Sequence, residues 1–140
     1  ETRGRADKTG KRDFEGYHAD LGHVGIGDEI LGAWDFHFGK GTRKEFPCPK
    51  GTSLTIDENG KGHHEKIENA IAVSEIKKGD WNSCRIVAKG NHFQFFINGK
   101  LSSEFTDKLE GQQLKEGFIG LQLHDKGMIV EFKDLFLKKG

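Results

Sequence analysis

The sequence lacks several features that would assign a protein to a functional class. It has no excess of charge, because 22 Lys and Arg residues are balanced by 22 Asp and Glu residues. A net charge of zero gives no long-range attraction to nucleic acid or to an anionic membrane surface. No apolar run approaches the length needed to cross a bilayer. We therefore expect neither a nucleic-acid partner nor a membrane-spanning segment.

Cysteine is also scarce, with Cys48 and Cys84 as the two copies. No CxxC spacing is present, so the pair is not a zinc signature. Cys84 lies in a strand-like run, and we expect it to be a small buried apolar group. Cys48 stands between two prolines and reads as loop. Whether the two thiols are bridged is left open by the sequence.

The residues that are abundant indicate β-structure. The chain has 11 Phe and 20 Gly but only 2 Pro in 140 residues, which is typical of short strands joined by tight turns within one domain. Alternation of apolar and polar residues predicts strands at 16–22, 33–38, 53–56, 81–88, 92–97, 100–105, 118–124, 128–132 and 135–137. The Asn98-Gly99 pair predicts a type I′ hairpin turn. Short strands at regular spacing favour an all-β sandwich or barrel.

Two further expectations concern packing. Ile67, Ala70 and Ile71 recur at helical spacing, which predicts one short surface helix over 65–76. Residues 39–62 are the least patterned stretch, and they either border a binding site or form a solvated insertion. The final strands predict one buried apolar cluster, made of Ile119, Leu121, Leu123, Val130, Phe132, Leu135 and Leu137.

Five pieces of the sequence carry a resemblance to a known family. They are GDWNSCRIVAKGN (79–91), INGK (97–100), FTD (105–107), GFIGLQLH (117–124) and VEFKDLFLK (130–138). In order and spacing they resemble the 3-keto-disaccharide hydrolase family, and GYHAD (16–20) is similar to an earlier strand of that family. The resemblance implies a single concanavalin-A-like jelly-roll domain over 1–140, without the family's opening strands. It also implies a periplasmic or secreted location.

The resemblance implies a carbohydrate substrate whose C3 hydroxyl has been oxidised to a ketone. That ketone acidifies the C2 hydrogen, so that a base removes it, the enolate expels the glycosidic oxygen at C1, and water adds back. The route needs a base poised near neutral pH and a group that stabilises the enolate oxygen. An imidazole, with an unperturbed pKa of about 6.5, suits the first role. A divalent metal ion, an Arg or an amide donor suits the second, and no cofactor is certain.

Four residues are the predicted catalytic set. Gln122 and His124 share the polar face of one strand, and they fall within the LQLH piece of the resemblance. His18 and Asp20 share the polar face of another strand, where they suit a metal site or a base with its orienting partner.

Four more residues are predicted to contact substrate. Tyr17 and Trp34 are candidates for stacking on a sugar ring, although Trp34 shares its face with Phe36 and Phe38, which favours the core. Glu1 and Arg3 are assigned by resemblance to an Arg-Ser-Glu-like stretch of the family.

Two rival interpretations remain open. One is a non-catalytic carbohydrate-binding module on the same fold, and the other is a structural jelly-roll domain with no active site. A titratable cluster on a concave face would favour the enzyme, whereas aromatic and amide side chains there would favour the binding module.

Overall fold

Two β-sheets make up almost all the regular structure in the part of the chain that the structure describes. A computed structural model describes residues 2–6, 15–21, 30–38, 43–123 and 126–139. The eight strands of this part are β1 (Thr2–Arg5), β2 (Glu15–Ala19), β3 (Trp34–His37), β4 (Thr52–Ile56), β5 (Gly62–Lys66), β6 (Cys84–Lys89), β7 (His92–Ile97) and β8 (Lys100–Asp107). They form a small sheet in the order β1-β2-β3 and a large sheet in the order β5-β4-β8-β7-β6. The predicted all-β sandwich is confirmed.

The pairing is antiparallel throughout these ladders except between β4 and β8, which run parallel. The β7–β8 hairpin closes through Asn98 and Gly99, whose φ angles are 48° and 81°. Positive φ at both central residues is the mark of the type I′ turn, so this prediction is also confirmed. In the described residues, no helix is long and apolar enough to cross a membrane.

An aromatic core lies between the two sheets. The Phe93 and Phe105 rings of the large sheet stack in parallel, with centroids 4.5 Å apart. The Tyr17 ring of the small sheet packs on both, at 4.7 and 5.0 Å. Because large aromatic side chains bury the most apolar area per residue, a few of them hold the two layers together. The other buried core members are Ala19, Leu31, Trp34, Phe36, Phe38, Phe46, Cys48, Leu54, Ile56, Ile71, Ile76, Phe95, Ile97 and Leu114.

The helix predicted over 65–76 is wrong. The segment contains the end of β5, then turns, and then a single 3-10 turn at Val73–Glu75. Its backbone N–H groups bond to other parts of the chain, since Ile67 donates to the Gly51 carbonyl at 2.8 Å and Ile71 to the Leu101 carbonyl at 3.0 Å. The helical spacing of apolar residues arises because the segment turns back along the large sheet and buries Ile71 there.

The predicted apolar cluster of the C-terminal segment is also wrong. Ile119, Leu121, Leu123, Leu135 and Leu137 are exposed at 55–81%. Val130 and Phe132 are only half-buried. Within the described residues the segment joins a sheet at one place, an isolated bridge between Gly4 and Phe118. Alternation identifies side chains that share a face, but it does not supply an opposing layer to cover that face.

The environments of the two cysteines are the reverse of those that the sequence predicts. Cys48 is buried and Cys84 is exposed, and both are free thiols. Cys48 enters the core because its carbonyl accepts a hydrogen bond of 2.9 Å from the Trp34 N–H. Cys84 begins β6, the edge strand of the large sheet as described, in which every residue except Val87 is exposed.

Candidate functional site

The outward face of the small sheet carries a cluster of ionisable side chains. The β2–β3 register pairs Tyr17 with Phe36 and Ala19 with Trp34, and these four residues are buried. Since side chains alternate along a strand, the residues between them face away from the core. The outer cluster, as we name it, consists of His18, Asp20, Asp35 and His37.

The register brings members of the outer cluster side by side. His18 is the direct cross-strand partner of Asp35. Directly opposed residues have Cβ atoms about 4.5–5.5 Å apart, which lets an imidazole and a carboxylate interact. His37 lies two residues beyond Asp35 on the same strand face, opposite Gly16. Two imidazoles and a carboxylate therefore share a small patch of the sheet.

Backbone hydrogen bonds hold Asp20 in register with the residues of this patch. Its N–H donates to the Ala33 carbonyl at 2.9 Å, and its own carbonyl accepts from the Gly32 N–H at 2.8 Å. These bonds extend the β2–β3 ladder one step past the end of β2. Because Asp20 is two residues from His18, it falls on the same side of the sheet. The predicted pair of His18 and Asp20 is thus placed on one face.

A buried polar network under β2 fixes the strand that carries His18. The Tyr17 hydroxyl donates to Asp107 Oδ2 at 2.9 Å and accepts from Arg43 Nη1 at 3.0 Å and from the Leu114 N–H at 3.2 Å. Arg43 Nη2 lies 2.7 Å from Asp107 Oδ2, and both side chains are almost fully buried. Burial raises the pKa of Tyr17 to about 12. The network ties β2 to the end of β8 and so positions the neighbouring outer cluster.

The rings of Tyr17 and Trp34 do not reach the surface. Both are among the largest fully buried side chains of the chain. Trp34 packs edge-on against Phe105 with centroids 5.2 Å apart. The sugar-stacking role predicted for these two residues does not fit their position, because neither ring face is open to a ligand. Their strand alternation places them in the aromatic core instead.

The other predicted site residues lie apart from the outer cluster or outside the described residues. Gln122 is exposed in the C-terminal segment. Arg3 points towards the large sheet, where its guanidinium donates to the Gly90 carbonyl at 2.6 Å and lies 4.6 Å from the Phe93 ring centroid. His124 and Glu1 are outside the part of the chain that the structure describes. The structure therefore places His18 and Asp20 on one sheet face, and Gln122 and Arg3 away from it.

Sequence reasoning missed Asp35 and His37 as site residues. The signal that identifies them is the alternation of 33–38, which sets both opposite Trp34, Phe36 and Phe38. That pattern gives the face of each residue, but only the β2–β3 register gives its neighbour. Alignment of the two strands as an antiparallel pair is what identifies Asp35 as the neighbour of His18.

A metal ion has no ready-made site among the described residues, since no group of three or more His, Cys, Asp or Glu side chains there is arranged to hold one. A separate open cleft of about 470 Å³ borders the stretch that the sequence leaves unpatterned. Its lining includes Arg43, Lys44, Phe46, Asn59 and Gly60 from that stretch, together with Leu109 and Gln112. The cleft shares no residue with the outer cluster.

Comparison with protein families gives one finding. The family model of the 3-keto-alpha-glucoside-1,2-lyase-like domain matches residues 7–138. The match covers β2 to β8 and the C-terminal segment, and it agrees with the family resemblance of the five sequence pieces. No curated protein and no solved structure matches the chain.

Proposed function

Because the chain belongs to the 3-keto-alpha-glucoside-1,2-lyase-like domain family, we propose that it cleaves glycosides whose C3 hydroxyl has been oxidised to a ketone. The observation that carries the proposal is the outer cluster, in which the β2–β3 register sets His18 beside Asp35 with His37 on the same face. A location in the periplasm or outside the cell is part of the same proposal.

The proposed reaction is an elimination followed by hydration. A base takes the proton from C2, and the electrons of that C–H bond form the enolate of the C3 ketone. The enolate then expels the glycosidic oxygen at C1, which leaves as an alcohol once it gains a proton. Addition of water across the resulting C1–C2 double bond completes a net hydrolysis. No oxidant or reductant is consumed in either step.

The outer cluster supplies groups for both proton transfers. We assign His18 as the base at C2, oriented by the carboxylate of Asp35 across the strand pair. A base held by a carboxylate partner is the usual arrangement for an imidazole that must accept a proton in one fixed direction. His37 is assigned as the acid that protonates the leaving oxygen. Asp20, Gln122 and His124 are kept in the proposal as further candidates.

This chemistry differs from that of ordinary glycosidases. Those enzymes place two carboxyl groups on opposite sides of the glycosidic bond, at separations of about 5–9.5 Å. The outer cluster instead combines imidazoles with carboxylates on one face of a sheet. A C2 proton made acidic by a ketone needs a single well-placed base, so one face of a sheet is sufficient.

The test is turnover of a 3-keto-disaccharide compared with its unoxidised parent. We expect cleavage of the keto sugar alone, with a primary isotope effect when C2 carries deuterium, because the C2–H bond breaks in the elimination. Loss of a positioned general base typically lowers the rate by about 10²–10⁴-fold, so His18→Ala should fall in that range.

The matched control is His63→Ala. His63 lies on β5, an edge strand of the large sheet, where its ring bonds Asp57 at 2.9 Å, whereas His18 lies on β2 of the small sheet. The control should keep full activity. Equal activity of His18→Ala and the folded parent would remove His18 from the mechanism, and His124→Ala would then be the next variant to measure. Cleavage without an isotope effect would point to direct hydrolysis instead.

The rival interpretations give different results in the same assay. A non-catalytic carbohydrate-binding module would bind the keto sugar without cleaving it, and its binding would survive His18→Ala. A structural domain with no active site would neither bind nor cleave.

A further inference from the structure

The outer edge of β6 is an open strand edge that the proposed reaction does not use. Among the described residues, β6 pairs with β7 on one side and with no strand on the other. Its ladder with β7 runs from Cys84 to Lys89 without a bulge. An edge of this kind presents a row of unpaired backbone groups, which can accept another strand.

The alternate residues Cys84, Ile86 and Ala88 direct their backbone groups to the open side of β6. Just before the strand, the Ser83 carbonyl accepts a hydrogen bond of 2.9 Å from the Asn98 N–H, so the backbone of Ser83 faces β7. In an antiparallel pair, hydrogen-bonded and non-hydrogen-bonded positions alternate along each strand. The odd-numbered residues of β6 therefore bond to β7, and the even-numbered ones keep N–H and C=O groups for a new neighbour.

The core side of β6 is apolar, unlike that of the opposite edge strand. The three even-numbered side chains pair with buried residues of β7, so they lie on the core side, where Ile86 is 42% exposed. On β5 the same side carries His64 and Lys66, which pair with Leu54 and Thr52. A charged side chain that points inward on an edge strand opposes pairing with another chain, and β6 has none.

The edge strands of the small sheet are also less suited to pairing. β1 has a register shift between Thr2 and Arg5, and Arg3 within it has a φ angle of 50°. β3 is engaged at Trp34, whose N–H donates to the Cys48 carbonyl at 2.9 Å. Bulges and cover by other segments are common ways of protecting an edge. Within the described part of the chain, β6 is therefore the one regular edge without such protection.

We propose that β6 pairs antiparallel with β6 of a second copy of the chain, with Ile86 opposite Ile86 of that copy. This register sets Cys84 opposite Ala88 and joins the open backbone groups of both copies in hydrogen-bonded pairs. It also continues the apolar core side from one copy to the other. On the outward face it sets Arg85 opposite Val87, so no two like charges are directly opposed.

Charge selects this register from its neighbours. A shift of two residues in one direction would set Arg85 opposite Lys89, and a shift of two in the other direction would set Arg85 opposite Arg85 of the second copy. Like charges that are directly opposed destabilise a strand pair. A shift of one residue would set core-side residues opposite outward ones, which the pleat does not allow. The strand therefore has one self-complementary register.

The pairing forms a closed dimer. Two copies approach without net repulsion, because 22 Lys and Arg residues balance 22 Asp and Glu residues. Pairing about a two-fold axis uses the β6 edge of each copy, so no equivalent edge remains for a third. The outer cluster lies on the small sheet, so the dimer leaves its face open and does not depend on the proposed reaction.

The experiment is sedimentation equilibrium of the whole chain over a range of concentrations, for the parent and for two variants of Val87. We expect a reversible monomer–dimer equilibrium with no larger species. Val87→Glu should lower the dissociation constant and Val87→Lys should raise it, each about threefold or more, because the contact with Arg85 of the second copy occurs twice in each dimer. Glu65→Lys, on the β5 edge, is the matched control and should leave the constant unchanged.

Hydrogen exchange locates the interface independently of any variant. The amides of Ile86 and Ala88 should gain protection as the protein concentration rises, whereas those of Arg85 and Val87 bond to β7 in both states. Sedimentation as a monomer at millimolar concentration would overturn the proposal, and so would open-ended assembly. A dimer in which both Val87 variants have the same effect, or in which the Ile86 and Ala88 amides stay unprotected, would use another interface and would also overturn it.

Discussion

The buried hydroxyl of Tyr17 leads to a quantitative prediction of how the stability of the fold changes at alkaline pH. Its pKa is raised from 10.0 to about 12, and burial is the largest cause. The nearby Arg43 lowers this pKa and Asp107 raises it, both by smaller amounts. The folded state therefore holds the Tyr17 proton more tightly than the unfolded state. The associated stability is fully present below pH 10 and is lost as the pH rises from about 10 to about 12. Two pKa units correspond to about 2.7 kcal/mol of unfolding free energy.

The assay is urea unfolding of the parent and of Tyr17→Phe at pH values from about 8 to about 11.5. In Tyr17→Phe the partners Arg43, Asp107 and Leu114 lose a bonding group, so its stability at neutral pH should be lower by about 1–3 kcal/mol. The difference between the two proteins should then shrink as the pH rises through 10. Cys48, whose pKa is also raised to about 12, titrates in both proteins and cancels in the comparison.

Tyrosinate absorbance gives a direct check, because Tyr17 is the only tyrosine of the 140 residues. A folded protein should show its absorbance change well above pH 10, and unfolding in urea should return the midpoint to the ordinary value of about 10. A midpoint near 10 in the folded protein would refute the reasoning, and so would a stability difference that does not change with pH.

The remaining predictions concern stability and thiol reactivity. Phe105→Ala should lower the unfolding free energy by about 3–5 kcal/mol, because it empties the centre of the aromatic core; a loss under about 1 kcal/mol in urea unfolding would contradict the packing. Cys84 should react with a thiol reagent in the folded protein and Cys48 only after unfolding; Cys84→Ser serves as the matched variant, and a fast-reacting thiol that persists in it would count against this assignment. Asn98→Ala should cost about 1–2 kcal/mol, since alanine is strained at the positive φ of the hairpin turn; thermal unfolding at an unchanged midpoint would argue against the type I′ turn.

The sequence predicts the large-sheet hairpin almost residue by residue. The predicted strand 92–97 coincides with β7, and the Asn98-Gly99 turn is where the chain reverses. Both signals are local, since alternation and turn chemistry depend on neighbours within a few residues. The same local information placed His18 and Asp20 on one polar face.

The features that the sequence does not predict correctly depend on contacts between segments that are distant in sequence. The spacing around Ile71 predicts a helix because the partner of Ile71, the carbonyl of Leu101, lies outside any short window of sequence. Alternation predicts that Leu121 and Leu123 are core residues, but it carries no information on whether another layer lies opposite them. The sequence does not identify Asp35 as a site residue for the same reason, since its neighbour His18 is on another strand.

The parallel pairing of β4 with β8 has a consequence for the order in which the chain folds. The two local hairpin units, β4–β5 and β6–β7–β8, each connect strands that follow one another in sequence. Joining them pairs Ser53 with Glu104 across 51 positions. Closing a loop of that length costs more chain entropy than closing a short turn, and non-local pairing of this kind slows folding. We therefore expect both units to form early. Their side-by-side docking, whose register the Ser53–Glu104 hydrogen bond fixes, should set the folding rate.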